Sequence, residues 1–471
     1  MSQLQRTLSL SSVLAIVVGG VIGSGIFMKP SIMLQQLGSP VWLLVVWVAA
    51  GIITLFGALT NAEPAAMFPE TGGQYVFFQK MYGNGFAFLY GWSAFAVFNT
   101  AGNASIAYVC SQYADYFLHL PRLPAEQEQQ VYLHIPFIGT IYPLQAIGIK
   151  LFTVGLICLF TFINTRSVLL GAGVQRFLTA LKVVAIVLLV VGLFGSGKGS
   201  SSHLFDTVAG MPSGAALIPA FMAAAAGAFW AYDGWNNITF IAGEIKEPQR
   251  TIPKSLLLGL SVCILLYACI NLAFVYVLPV EQMAVSSFVA ADAASVTWGT
   301  AGAVLIVLLV VASTLGTTNS NVLSTARVTF AMGTENKLLS VAGKVHPRFQ
   351  TPANALWINA AWTCVLIFSG SFDMLTDMLI FVSWLFYGMS ALGVFVLRFR
   401  MKDADRPYKV WGYPFVPAIF VLFTFFFLAT TVYRDVMNYQ QGITPVMNSM
   451  FGISIALLGI PVYLFSIRRS R

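Results

Sequence analysis

The stretch AIVVGGVIGSGIFMKP, residues 15–30, reads at first as the middle of a membrane-spanning helix. Yet Gly19, Gly20, Gly23 and Gly25 fall inside it, with Ser24 between the last two. Glycine costs a helix about 1 kcal/mol relative to alanine, and hydrocarbon offers no water to a freed backbone group. A second apolar stretch, AGAFWAYDGWNNITF at residues 226–240, has Asp233-Gly234 where an unbroken helix would run. Taken alone, Gly19 and Gly23 also satisfy the small-xxx-small spacing that lets helices pack closely. The positions of the two anomalies separate these readings.

Of the 471 residues, 58% are hydrophobic and 9% charged, with a mean hydropathy of +0.80. A soluble domain carries about 25% charged residues, so the chain belongs in a membrane. A spanning helix needs roughly 20 apolar residues. Twelve stretches qualify, near 9–35, 41–60, 86–117, 145–164, 173–195, 214–243, 253–278, 299–330, 352–369, 375–399, 413–434 and 447–467. The expectation is one all-α integral membrane domain over 1–471. The first stretch lacks a cleavage site and a basic leader beyond Arg6, so it reads as retained.

Stretches 1–5 occupy 9–195 and stretches 6–10 occupy 214–399, lengths of 187 and 186 residues. Five is odd, so the second set begins on the opposite side of the membrane. The pattern is a 5+5 inverted repeat with helices 1 and 6 broken at corresponding places, followed by two accessory helices over 413–467. Interrupted helices at matching positions of two halves point to a transporter's binding site.

The net charge of +8 is distributed by side. With the N-terminus cytoplasmic, inside segments hold 19 lysines and arginines, Lys337 and Arg471 among them. Outside segments hold five (Lys29, Arg122, Lys150, Lys198 and Arg434), and Lys182 lies within a stretch, completing the 25. The positive-inside rule places both termini in the cytoplasm and makes the basic charge an orientation signal, with no nucleic-acid partner expected. The five cysteines all fall in apolar stretches, and the four histidines lie in loops without metal-ligand spacing. No metal or cofactor is expected.

GGVIGSGIF and FWAYDGWN resemble the first and sixth helices of the amino acid–polyamine–organocation (APC) permeases. NAEPAAMFPETGGQYVF (61–77), the run from NSNVLSTAR to TPANALW (319–357), and RPYKVWGYPFVP (406–417) fit the same family in order. Within it the chain is most similar to the bacterial L-type amino acid transporters (LAT). The resemblance implies a LeuT-like fold of 12 transmembrane helices in a cell (inner) membrane, alternating access, and free L-amino acids as substrates. Animal light chains carry a cysteine between helices 3 and 4 that bonds a heavy chain. With no cysteine between 111 and 157, no disulfide-linked heavy chain is expected.

A helix break supplies what a zwitterion needs. Free N–H groups at the start of the second half-helix attract a carboxylate, and free carbonyls ending the first half accept from an ammonium. Mapped by the family motif, Ser24 and Gly25 take the carboxylate, the carbonyls of Val21 and Trp230 take the ammonium, and Gly23 belongs to the same substrate-binding set. Trp230 resembles the aromatic gate, and Asn236 and Trp384 match positions that tune side-chain selection. Asp233 reads either as the N-cap of the second half of helix 6 or as a contact to the substrate ammonium or a cationic side chain. Neutral and dibasic substrates thus both stay open. Asn99 and Asn103 share a helix face, and Glu63 and Glu70 fall in a cytoplasmic loop as inner-gate or capping residues.

Lys182 lies nine residues into a 23-residue stretch. A mid-membrane lysine costs about 2.5–3.5 kcal/mol, so something compensates it. In sodium-driven relatives a cation bridges helices 1 and 8 near this place. The resemblance puts the Lys182 ammonium there instead, on the Gly19 carbonyl and Ser313. The expected function is sodium-independent, obligatory amino acid exchange, with proton-coupled symport through Lys182 as the alternative. Without clustered catalytic groups or a repeated filter, neither an enzyme nor a channel is expected.

Overall fold

In the computed structural model the break is physical: α1 (Leu10–Val21) and α2 (Gly25–Leu37) are separated by Ile22, Gly23 and Ser24 and bent by about 40°. The structure describes residues 6, 8–70, 72–166, 172–208, 210–335 and 339–470. Lys337 and Arg471 lie outside the described residues, as do the side chains of Arg176, Arg468 and Arg469.

The chain continues through α3 (Pro40–Met67), α4 (Gln74–Tyr82), α5 (Asn84–Ser93), a π turn at Ala94–Phe98 and α6 (Asn99–Leu118). A connection with α7 (Ala125–Gln130) and a small hairpin, β1 (Leu133–Ile135) with β2 (Gly139–Ile141), leads to α8 (Ile147–Arg166) and α9 (Ala172–Gly195). Then come α10 (Leu217–Tyr232), α11 (Asn237–Phe240), α12 (Pro248–Val277), α13 (Val280–Val285) and α14 (Val289–Glu335). The chain closes with α15 (Ala353–Ser369), α16 (Phe372–Arg400), α17 (Phe415–Gln440), α18 (Asn448–Leu457) and α19 (Gly459–Ser470). The hairpin, bridged to Val446 through Gly139, is the one two-stranded sheet among the described residues, and Leu8 and Ile245 form an isolated parallel bridge.

Among the described residues, eight helices are long and apolar enough to cross a membrane, or nine if α1 and α2 make one span. The other three expected stretches are helical but fall short of that test. A π turn divides 86–117, while Thr179–Gly195 and Ala353–Ser369 are shorter apolar helices. α14 begins before the expected 299, with a non-helical Gly299 inside it.

The two broken segments form the centre. α2 packs along α10, α1 along α12 and α9, and α6 along α14. Three of the charges assigned to the outside segments lie within helices. Lys29 and Pro30 are interior to α2, Lys150 is buried in the first turn of α8, and Arg434 lies in α17. Lys150 donates to the Tyr142 and Pro143 carbonyls at 3.2 Å each, so it closes the preceding loop rather than facing water.

Glu63 likewise sits in α3 and is 1% exposed, not in the loop expected of it. Arg398 grips it twice, Nε at 2.9 Å and Nη2 at 2.6 Å, and the Val410 N–H donates at 2.8 Å. A buried carboxylate without such donors would be costly. The clamp joins α3, the end of α16 and the 406–413 segment.

Candidate substrate site at two interrupted helices

A cavity of about 80 Å³ lies where the two breaks meet. Val21, Gly23, Ser24, Gly25, Trp230 and Asp233 line it, with Gly20, Asn99, Asn237, Thr317, Asn321 and Thr325. Two glycines permit the approach. Gly234 has φ +98°, and a Cβ there would stand 2.6 Å from the Gly20 carbonyl oxygen. One on Gly25 would stand 2.6 Å from Ala231 Cα. Only glycine lets these backbones come so close.

At the start of α2 the N–H groups of Ser24, Gly25 and Ile26 have no partner among the described residues, and the buried Ser24 Oγ is also unpartnered. These donors sit at the positive end of the α2 dipole. The carbonyl side differs from expectation. The Val21 carbonyl already accepts from the Gly23 N–H at 2.8 Å and lies 2.9 Å from the Tyr267 hydroxyl, whose one hydrogen it shares with the Ala231 carbonyl. The Trp230 carbonyl accepts from the Asp233 N–H at 3.3 Å, and Tyr267 also holds the Ala231 carbonyl at 3.0 Å. The Gly20 carbonyl keeps no hydrogen-bond partner among the described residues.

Asp233 ends α10 in extended backbone and makes no N-cap bond to α11. Its carboxylate accepts from the Tyr387 hydroxyl at 2.8 Å and borders the cavity. Trp230 packs edge-on against Phe372 with centroids 5.1 Å apart. On the far side of Phe372 lies a second cavity of about 850 Å³, bordered by Phe372, Asp373, Gln35 and Gln112. The partition is pinned by Lys29, which donates to Asp373 at 2.7 Å and Thr376 at 3.1 Å and stands 4.6 Å above the Phe372 ring.

Two expected pocket residues lie elsewhere. Asn236 is buried and donates to Gln74 Oε1 at 2.9 Å, and its neighbour Asn237 borders the cavity instead. Trp384 stacks on Phe229 at 3.8 Å and packs against Phe420 and Phe427, away from the break. Asn99 borders the cavity, while Asn103 donates to Thr325 Oγ1 at 3.0 Å.

Lys182 reaches the break on atoms other than those expected. Its ammonium donates to Thr317 Oγ1 at 2.6 Å and to the Ile22 carbonyl at 3.4 Å. Neither Gly19 nor Ser313 hydrogen-bonds to it. Ser313 stands one turn behind, its carbonyl accepting from Thr317 Oγ1 at 2.9 Å. Thr317, Asn321 and Thr325 escaped the sequence reading although their i, i+4, i+8 spacing puts three polar groups on one face of an apolar helix.

A small polar cavity between two interrupted helices fits a membrane transporter, and comparison identifies the family. A model of the amino acid permease family matches residues 8–457, and the chain belongs to that family, within the APC superfamily and most like its L-type members. It is 31% identical to the serine/threonine exchanger SteT of Bacillus subtilis (strain 168), over 98% of this chain and 96% of that protein. It is 29% identical to the human cystine/glutamate transporter, over 98% of this chain and 85% of the other. The mouse b(0,+)-type amino acid transporter 1 is also 29% identical, over 92% of this chain and 84% of its own length. The protein is an amino acid transporter of the membrane.

Proposed function

We propose that the protein exchanges L-amino acids across the cell membrane without sodium, by alternating access of a 5+5 inverted repeat (9–195 and 214–399) carrying two accessory helices, twelve crossings in all. Both termini face the cytoplasm, and no disulfide-linked heavy chain takes part. The observation that carries the reading is the Lys182 ammonium, held between the Ile22 carbonyl at the end of the first half-helix and Thr317 on α14. A fixed cation there ties together the two elements that an inorganic cation would otherwise bridge.

The substrate carboxylate takes the N–H groups of Ser24, Gly25 and Ile26 with Ser24 Oγ. With the Val21 carbonyl occupied, the ammonium turns to the Gly20 carbonyl and the Asp233 carboxylate, whose orientation Tyr387 fixes. Trp230 and Phe372 form the partition toward the larger cavity, and the Lys29–Asp373 pair latches it. Opening that side requires the pair to part or move as a unit.

The test is uptake of labelled amino acids into proteoliposomes in sodium-free buffer, comparing empty vesicles with vesicles preloaded with unlabelled amino acid. Uptake only into preloaded vesicles, lost in Lys182→Ala, supports exchange. Equal uptake into empty vesicles, rising with an inward proton gradient, would replace exchange by proton symport. An ammonium with only neutral oxygen partners makes Lys182 the group to carry that proton.

A further inference from the structure

At the end of the bundle that carries the Glu63 clamp, a groove of about 610 Å³ opens on the outer surface between α3, α12 and the 406–413 segment. Its floor is apolar, built from Leu55, Leu59, Pro253 and Leu257. Two cations stand at its edge on one face of α12, Arg250 and Lys254, four residues apart. Lys254 is exposed and has no partner among the described residues. The only ion pair of Arg250 among them is a 3.9 Å contact to the equally exposed Glu247. Trp411, 71% exposed, and Tyr408 form the opposite wall.

An apolar groove edged by the unpaired Lys254, by Arg250 with its one long and exposed ion pair, and by Trp411 and Tyr408 matches an amphiphile with an anionic head. Tryptophan and tyrosine belong at headgroup level. Basic pockets between helices at the cytoplasmic side receive anionic lipid heads, and the charge bias assigns this end of the helices to the cytoplasm. We infer that the groove is a binding site for an anionic phospholipid, its phosphate held by Arg250 and Lys254 and one acyl chain lying along Leu55, Leu59 and Leu257. The site is separate from the cavity at the helix breaks and does not depend on which amino acid is carried.

The experiment is native mass spectrometry of the purified full-length protein titrated with dioleoyl phosphatidylglycerol or dioleoyl phosphatidylcholine. The glycerol lipid is expected to bind more tightly, by about fivefold per cation engaged. In R250Q/K254Q the preference disappears while the choline lipid binds as before. Equal retention of both lipids by the wild type, or a preference that survives in R250Q/K254Q, overturns the proposal. Binding of sn-glycerol 3-phosphate as tight as that of the lipid would show that the apolar groove contributes nothing and would also overturn it. Should the double variant fail to fold, brominated forms of the two lipids serve with wild type and Trp411→Phe. Stronger quenching of the Trp411 fluorescence by brominated phosphatidylglycerol supports the site, and equal quenching sinks it.

Discussion

Two lysines flank the break between α1 and α2, and they are buried in opposite ways. Lys29 is 3% exposed and meets a carboxylate, Asp373, at 2.7 Å. Lys182 is 9% exposed and meets only a hydroxyl and a carbonyl. The first is a neutral pair, which can hold two helices together and separate when both ends reach water. The second keeps a net positive charge at the break, where backbone carbonyls are its solvent. An ion pair is suited to a latch, and an uncompensated ammonium is suited to replace a bound cation. The same residue type therefore serves different purposes according to whether a carboxylate faces it.

The comparison breaks first at Lys182. Lys182→Ala is expected to bring exchange in preloaded proteoliposomes to background, with sodium giving no rescue. Retained uptake would reduce Lys182 to a packing residue. Thr317→Val should follow, since a hydrogen bond to a charged group is worth about 1.5–3 kcal/mol. Uptake falls roughly tenfold or more by that scale, while Ser313→Ala, which leaves the ammonium untouched, changes it less than twofold. A larger effect at Ser313 would restore the original assignment.

The latch predicts an asymmetry in stability. The Asp373 side chain is 52% exposed whereas that of Lys29 is 4% exposed. Asp373→Ala strands a buried ammonium and is expected to cost about 3 kcal/mol, the low end for breaking a buried pair. Lys29→Met keeps the buried stem and leaves a carboxylate that water can reach, at about 1 kcal/mol or less. Thermal unfolding in detergent of the two single variants and the double variant measures this, and equal losses would deny the burial difference its role. The smallest transport effect is expected at Trp384→Phe, which leaves the half-saturation concentration within twofold in the same uptake assay. A larger shift would return Trp384 to the substrate pocket.

Much of the site was legible because it violates local rules. Glycines clustered at 19–25, Asp233-Gly234 inside an apolar run, and a lysine deep in a stretch each need a reason that a lipid-facing helix does not supply. Side-chain direction was less legible. After Gly234, whose φ is +98°, the chain turns so that Asn236 meets Gln74 while Asn237 meets the cavity. A one-residue step around a turn redirects a side chain completely, and spacing cannot say which of two adjacent asparagines faces inward. Trp384 shows the same limit on a helix: α16 is buried over most of its surface, so an aromatic ring finds apolar partners on several sides.

The amino-acid sequence by itself determined that this is a helical membrane protein, where its first and sixth apolar stretches break, and that Lys182 needs a compensating partner there. Those conclusions rest on composition and on the cost of glycine and charge in hydrocarbon, which are properties of the chain alone. Only the tertiary structure decided that Ile22 and Thr317 hold the ammonium, that Tyr267 reaches the Val21 carbonyl, and that Lys29 is buried against Asp373. Each of those outcomes depends on helix rotations of a fraction of a turn, set by how α2 packs on α10 and α9 on α14. Such rotations follow from the sum of many weak contacts between residues distant in sequence, and no local pattern records that sum.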